Sequence, residues 1–156
     1  MFTEIRDITA LNEEEILALR IADNQQDFIE STTQCLAEAE TDKRFIPVGL
    51  YRDETAVGFA MYGVFPHDDD DTQRVWLDRY FIDERHQHKG LGKYFLQQLI
   101  NYLVVTYSCQ NIYLSVYDNN IVAIQLYKKF GFAFNGELDE KGEKVMVKEV
   151  HAHDYH

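Results

Sequence analysis

The stretch Gln87-His88-Lys89-Gly90-Leu91-Gly92 decides how this chain is read. It follows a strand-like run over residues 75–82 and opens an amphipathic segment that predicts a helix over residues 90–107. Two glycines let the main chain come close to a ligand, and the unpaired N–H groups and positive dipole end of a helix favour an anion. Lys89 and Lys93 add positive charge. Taken alone, a Gly-x-Gly at a strand-to-helix junction is equally an ordinary tight turn.

A second segment narrows the choice. Asp118-Asn119-Asn120 precedes Ile121-Val122-Ala123-Ile124-Gln125-Leu126-Tyr127-Lys128-Lys129-Phe130-Gly131-Phe132. Asp and Asn stand where a helix starts, Ile121, Ile124 and Lys128 recur at helical spacing, the lysines complement the C-terminal dipole, and Gly131 stops the helix. Together the two segments resemble the acyl-CoA-binding core of the GNAT N-acetyltransferases: a Gln/Arg-x-x-Gly-x-Gly turn, then Asn-x-x-Ala-x-x-x-Tyr-x-x-x-Gly-Phe, each met residue for residue. The resemblance extends from the first strand to Val150. Within that superfamily, Val57-Gly58-Phe59-Ala60-Met61-Tyr62, Trp76-Leu77-Asp78-Arg79-Tyr80-Phe81-Ile82 and Asn24-Gln25-Gln26-Asp27-Phe28-Ile29-Glu30 are similar to the bacterial spermine/spermidine acetyltransferases found beside multidrug efflux genes. The fold implied is α/β (α+β): a mixed, mostly antiparallel sheet of six to seven strands flanked by about four helices, with splayed central strands.

Composition sets the outer limits. At 156 residues, 46% apolar and 13% aromatic, the chain fits one domain over residues 1–150 with a short tail at 151–156. No apolar run reaches the length of a membrane span, and Met1-Phe2-Thr3-Glu4 lacks a signal peptide's basic and hydrophobic regions, so a cytoplasmic protein is expected. Cys35 and Cys109 are too few for a disulfide framework or a cysteine metal site.

Net charge is -12, and it is unevenly spread. Residues 1–71 hold 17 acidic and 5 basic side chains, which leaves 10 of each among the 27 acidic and 15 basic side chains of the whole chain for residues 72–156. Between Arg85 and Lys129 five basic residues face Asp118 alone. One half suits an anionic cofactor and the other a cationic substrate, whereas nucleic acid needs a basic face that the bulk composition lacks. Acidity that merely maintains solubility is the plainer alternative.

Strands are predicted over residues 2–8, 47–51, 56–65, 75–82, 112–117, 132–137 and 144–150. Helices are predicted over 13–20 with Asn12 as cap, 27–40, 90–107 and 120–130. The early strands favour an antiparallel meander. A dinucleotide-binding unit does not fit, because Phe95 stands where its third glycine belongs and the preceding strands look hairpin-linked. A Walker loop fails as well, since Gly92-Lys93 is followed by Tyr94. The aspartates at 68–71 predict a mobile, solvated loop that could draw in a polycation at long range.

Acetyl transfer from a thioester to an amine needs a neutral nitrogen, a polarised carbonyl and a proton for the departing thiolate. The resemblance implies that Tyr127 donates this proton, which a phenol can do as a general acid; a core tyrosine is the alternative. It implies that Asn120 meets the pantetheine arm, although an N-cap asparagine has nearly equal standing. It implies that the backbone of Phe81, Ile82 and Asp83 binds pantetheine as an added strand would, and that Gln87, His88, Lys89, Gly90, Leu91, Gly92 and Lys93 take the pyrophosphate, mainly through N–H groups. A cationic acceptor calls for carboxylates: Asp78 and Asp118 at strand ends lead, matching acids in the animal diamine acetyltransferases, with Asp27 and Glu30 on the second helix as a solvated face or a further contact. Tyr62 and Trp76 are either core residues or walls for aliphatic spacers. His86 and His88 lack partner ligands, so no metal is expected. The implied partners are acetyl-CoA and a polyamine or another small cationic amine, with neither nucleic acid nor membrane, and a homodimer is expected. An aminoglycoside or protein N-terminus as acceptor, or a catalytically idle CoA-binding module, are the competing functions.

Overall fold

The computed structural model describes residues 2–26, 31–67, 69–70 and 72–151. Seven strands form one mixed sheet: β1 (Thr3–Asp7), β2 (Ile46–Arg52), β3 (Thr55–Pro66), β4 (Gln73–Ile82), β5 (Asn111–Val116), β6 (Ala133–Leu138) and β7 (Lys144–Glu149), in the order β1-β2-β3-β4-β5-β7-β6. The α-helices among the described residues are α1 (Glu13–Leu17), α2 (Thr32–Thr41), α3 (Leu91–Tyr107) and α4 (Ile121–Lys129). The chain condenses into two compact units, residues 1–63 with 78–92, and residues 64–77 with 93–156.

In the first unit β1 and β2 are antiparallel from Thr3↔Arg52 to Asp7↔Val48, and β2 and β3 are antiparallel with a register shift at Leu50/Tyr51. The hairpin between β2 and β3 turns on Asp53 and Glu54, both left-handed at φ 48° and 72°, the combination whose twist matches flanking strands. The core gathers Ile16, Cys35, Ala39, Tyr51, Ala56, Phe59, Met61 and Phe81. Glu15 on α1 reaches this sheet by accepting the Ala56 N–H at 3.0 Å and the Tyr51 hydroxyl at 3.4 Å. Gly58 allows a close approach of strands, since a Cβ there would stand 2.7 Å from the Phe81 carbonyl oxygen and 3.0 Å from Ile82 Cδ1.

Two helix boundaries differ from the sequence reading. α1 ends at Leu17 rather than Arg20, because the Arg20 N–H donates to the Asp83 carboxylate at 2.8 Å and the Arg20 carbonyl accepts the Glu84 N–H at 2.9 Å. Asn12 stands at the N-cap of α1 as expected, its carbonyl accepting the Ile16 N–H, but its side chain makes no capping hydrogen bond: it accepts the Thr9 N–H and donates to the Asp7 carbonyl, upstream of the helix. α2 begins at Thr32 behind a reciprocal cap, in which Ser31 Oγ accepts the Gln34 N–H while Gln34 Oε1 accepts the Ser31 N–H. Asp27 and Glu30 lie outside the described residues.

In the second unit β4 and β5 run parallel, paired at Val75↔Ile112 and Trp76↔Tyr113 and linked through α3. The buried positions of α3, Phe95, Leu96, Leu99, Ile100, Leu103 and Val104, recur at helical spacing, and Ile112, Leu114, Val116, Val145 and Met146 supply the buried residues of β5 and β7. β7 lies between β5 and β6, antiparallel to both. Within the predicted solvated loop Asp69 and Asp70 are exposed, and the Asp70 carboxylate accepts the Thr72 N–H and hydroxyl at 3.0 and 2.6 Å and faces His67 Nδ1 at 3.2 Å. The Thr72 hydrogen bonds, followed by His67, lower the Asp70 pKa to about 2. Asp68 and Asp71 fall outside the described residues. Among the described residues no helix is long and apolar enough to cross a membrane.

Candidate active site

The glycine turn is built by the strand that precedes it. β4 ends at Ile82, and Asp83 follows with its side chain fully buried. The Asp83 N–H donates to the Val57 carbonyl, and its carbonyl accepts the His86 N–H. Its carboxylate accepts the Arg85 N–H at 2.8 Å, Arg85 Nε at 2.9 Å, Arg85 Nη2 at 2.8 Å and the Arg20 N–H at 2.8 Å. Burial alone would raise the pKa of this carboxyl, but the Arg85 guanidinium and the two N–H donors outweigh it and hold it near about 2. Asp83 is therefore a buried anchor for the bend, joining it to the segment after α1. Gln87 folds back over the same bend, its side-chain amide donating to the Ile82 carbonyl at 3.1 Å.

Beyond the bend the backbone takes a shape suited to an anion. His88 and Gly90 are left-handed at φ 64° and 78°, which a histidine adopts only at a cost of roughly 1–2 kcal/mol. Left-handed residues set within such a turn aim successive N–H groups into a shared concavity. Gly90 is needed for its φ, since a Cβ there would meet nothing within 4 Å among the described residues. Gly92 is more telling. It is the second residue of α3, outside the left-handed region, and a Cβ there would also meet nothing within 4 Å among the described residues. Neither backbone geometry nor packing among the described residues requires glycine at 92, although glycine weakens a helix by about 1 kcal/mol against alanine. A site that brings a ligand against the main chain does require it. Lys89 and Lys93 are exposed beside this turn. Tyr80, which the sequence reading missed, places its hydroxyl 2.5 Å from the Gly92 carbonyl and donates to it across the turn. No local pattern marks that contact, because donor and acceptor are twelve residues apart.

The same unit holds two more of the expected residues. Asp78 lies inside β4 rather than at its end, 29% exposed, with its carboxylate 3.8 Å from Arg79 Nη1, which also donates to the Asp78 carbonyl at 2.7 Å. Tyr62 is 2% exposed and belongs to the core.

The second unit holds the others. Asn120 is buried and caps α4, its side-chain oxygen accepting the Ala123 N–H at 3.4 Å. Seven residues on, two helical turns, the half-buried Tyr127 ring meets Phe132 edge-on, with centroids 5.8 Å apart. The Tyr127 carbonyl closes the helix by accepting the Phe130 and Phe132 N–H groups, and Gly131 makes the turn at φ 92°. Asp118 lies past the end of β5, 67% exposed, and faces Lys144 Nζ at 3.9 Å. Trp76 is half-buried and packs on Tyr113 at a centroid distance of 5.4 Å; Arg74 covers the other ring and is held by Glu137 at 2.8 Å. Tyr113 was not anticipated from sequence, and its pairing with Trp76 follows from the parallel register. Among the described residues no group of three or more His, Cys, Asp or Glu side chains could hold a metal ion.

Residues 8–132 of this chain match the acetyltransferase (GNAT) family, and the chain belongs to it. Over 152 residues, covering 96% of this chain and 100% of the relative, it is 55% identical to the spermine/spermidine N(1)-acetyltransferase of Bacillus subtilis strain 168. A probable spermine N(1)-acetyltransferase of Bacillus subtilis subsp. natto is 53% identical with the same coverage. The solved structure of PaiA N-acetyltransferase from Thermoplasma acidophilum in complex with coenzyme A superposes with a TM-score of 0.68 at 18% identity, covering 96% of this chain and all of that one. The fold class expected from sequence, a mixed mostly antiparallel sheet of six to seven strands with four helices, is the one observed.

Proposed function

We propose that this acetyltransferase uses acetyl-CoA to acetylate a primary amine of a polyamine, spermine or spermidine, by direct attack with no covalent enzyme intermediate. The observation that carries the reading is the 55% identity, over the full length of the relative, to a protein named spermine/spermidine N(1)-acetyltransferase. The acidic bias of residues 1–71 supports a cationic acceptor independently of that likeness.

Acetyl-CoA supplies the activated thioester. The N–H groups of residues 87–93, with Lys89 and Lys93, hold its pyrophosphate, and the open approach at Gly92 supports that assignment. Main-chain groups of Phe81 and Ile82, kept in place by the Asp83 anchor, and the Asn120 amide hold the pantetheine arm. Tyr127 protonates the departing thiolate. An ammonium with a pKa near ~10.4 must lose a proton before its nitrogen can attack. Asp78 receives the acceptor's charge and assists that loss, and the more exposed Asp118 steers the polycation. Trp76, stacked on Tyr113, offers an apolar face to an aliphatic spacer, while Tyr62 backs the core; Asp27 and Glu30 supply outer carboxylates. The catalytic domain comprises residues 1–150 with a tail at 151–156. The protein works as a cytoplasmic homodimer, a setting in which the free thiols Cys35 and Cys109 persist.

Asp78→Asn and Asp118→Asn test the acceptor assignment. A desolvated charge-assisted contact contributes roughly 1.5–3 kcal/mol, so Asp78→Asn should lower kcat/KM for spermine about 10- to 150-fold with CoA affinity kept. Asp118, mostly solvated, should contribute only a few-fold, and this effect should fade at high salt. Two variants that acetylate spermine as well as the parent does would remove both carboxylates from the acceptor site.

A further inference from the structure

We infer that the Tyr80 hydroxyl is a positioning group that sets how tightly the glycine turn grips the nucleotide end of the acetyl donor. The inference rests on the assignment of residues 87–93 to the pyrophosphate. Tyr80 lies on β4, two residues before the strand ends, and its hydroxyl donates to the Gly92 carbonyl at 2.5 Å. A carbonyl in the first turn of a helix ordinarily accepts from the N–H four residues on. Here a side chain from the strand before the turn is a further donor, so the end of β4 and the start of α3 are tied directly, across the loop rather than only along it.

The turn needs such a tie. It contains glycines at 90 and 92, one of them at φ 78°, and an exposed histidine at φ 64°. Glycine has the widest conformational freedom of any residue and the poorest helix propensity after proline, so two of them at a helix start favour fraying of the N–H groups that would meet phosphate. The two other braces act earlier in the loop: Asp83 holds Arg85, and Gln87 holds the Ile82 carbonyl. Tyr80 reaches past the bend to the helix itself. Donors fixed in direction before binding hold an anion without an ordering cost at the moment of contact, whereas donors that must be ordered lose that advantage in affinity. The half-buried ring would pack the same without its oxygen, so the hydroxyl's contribution is separable from the ring's.

Tyr80→Phe tests this with two acetyl donors, acetyl-CoA and S-acetylpantetheine, the second lacking pyrophosphate and nucleotide. Loss of one hydrogen bond to the turn should lower the ratio of kcat/KM for acetyl-CoA to kcat/KM for S-acetylpantetheine about 2- to 10-fold. The change should lie mainly in KM for acetyl-CoA, and the calorimetric Kd for CoA should rise by the same factor. Equal losses with both donors would mark Tyr80 as a general structural residue and overturn the inference, as would an unchanged ratio. Gly92→Asp separates the two levels: if it abolishes CoA binding while Tyr80→Phe leaves Kd unchanged, only the role of Tyr80 falls; if it too binds CoA normally, the turn assignment falls with it.

Discussion

Gly92→Asp should make the protein no less stable and nearly unable to bind acetyl-CoA. Among the described residues a Cβ at 92 meets nothing within 4 Å, and the residue is outside the left-handed region, so the substitution brings neither clash with them nor backbone strain. An aspartate in the first turn of a helix also interacts favourably with the positive end of the dipole, by roughly 0.3–1 kcal/mol, and replacing glycine recovers a further helix penalty of about 0.3 kcal/mol, since aspartate is itself a poor helix former. The same carboxylate would face the pyrophosphate. At about 5 Å and an effective dielectric of about 20, each phosphate charge is repelled by about 3 kcal/mol, or roughly 10²-fold in Kd, and two such charges place binding beyond detection. Thermal or urea denaturation reads the first effect and titration calorimetry with CoA the second. A folded Gly92→Asp protein with near-parental CoA affinity would refute the placement of the cofactor at this turn, and a strongly destabilised one would refute the argument that the protein itself does not require glycine there.

Two further outcomes follow from the site. Tyr127→Phe keeps the edge-on contact with Phe132 but removes the acid, so CoA affinity should hold while turnover falls about 10²- to 10⁴-fold; undiminished turnover, measured where chemistry limits the rate, would give the proton to another group. Asp83 should matter to acid stability: its folded-state pKa is lowered to about 2, so its contribution is present above the unfolded value near ~3.9 and is lost as pH falls from about 4 toward 2, amounting to about 2 kcal/mol. Urea midpoints followed across that range should drop more steeply for the parent than for Asp83→Asn, and parallel curves would contradict the anchor role.

What the sequence made legible was local. The glycine turn, α3 with its apolar spacing, and the helix from Asn120 to Gly131 depend on residues a few positions apart, and each stands within a residue or two of its predicted place. The misplaced features depend on partners far along the chain. Nothing near Arg20 says that its N–H will be taken by Asp83, 63 residues later, and so the end of α1 was set too far on. Asp83 was read for its backbone, as a pantetheine contact beside Phe81 and Ile82, whereas its N–H and carbonyl are taken by Val57 and His86 and its buried carboxylate braces the bend. The insertion of β7 between β5 and β6 is a choice among strand pairings that alternation of apolar residues leaves open. Asp70 is exposed, as a solvated run implies, but its hydrogen bonds to Thr72 require a particular turn that the run of aspartates does not announce. Asp78 was assigned to a strand end when β4 continues to Ile82.

Acetyl-CoA-dependent acetylation of a polyamine is read out by thiol release from acetyl-CoA with spermine, spermidine, putrescine and a lysine-containing peptide at equal concentrations. Release should be rapid with spermine and spermidine, slower with putrescine, and slight with the peptide. Release with none of the polyamines while the peptide or another amine supports turnover would overturn the acceptor and leave the acetyltransferase, and CoA binding with no thiol release from any amine would contradict catalysis itself.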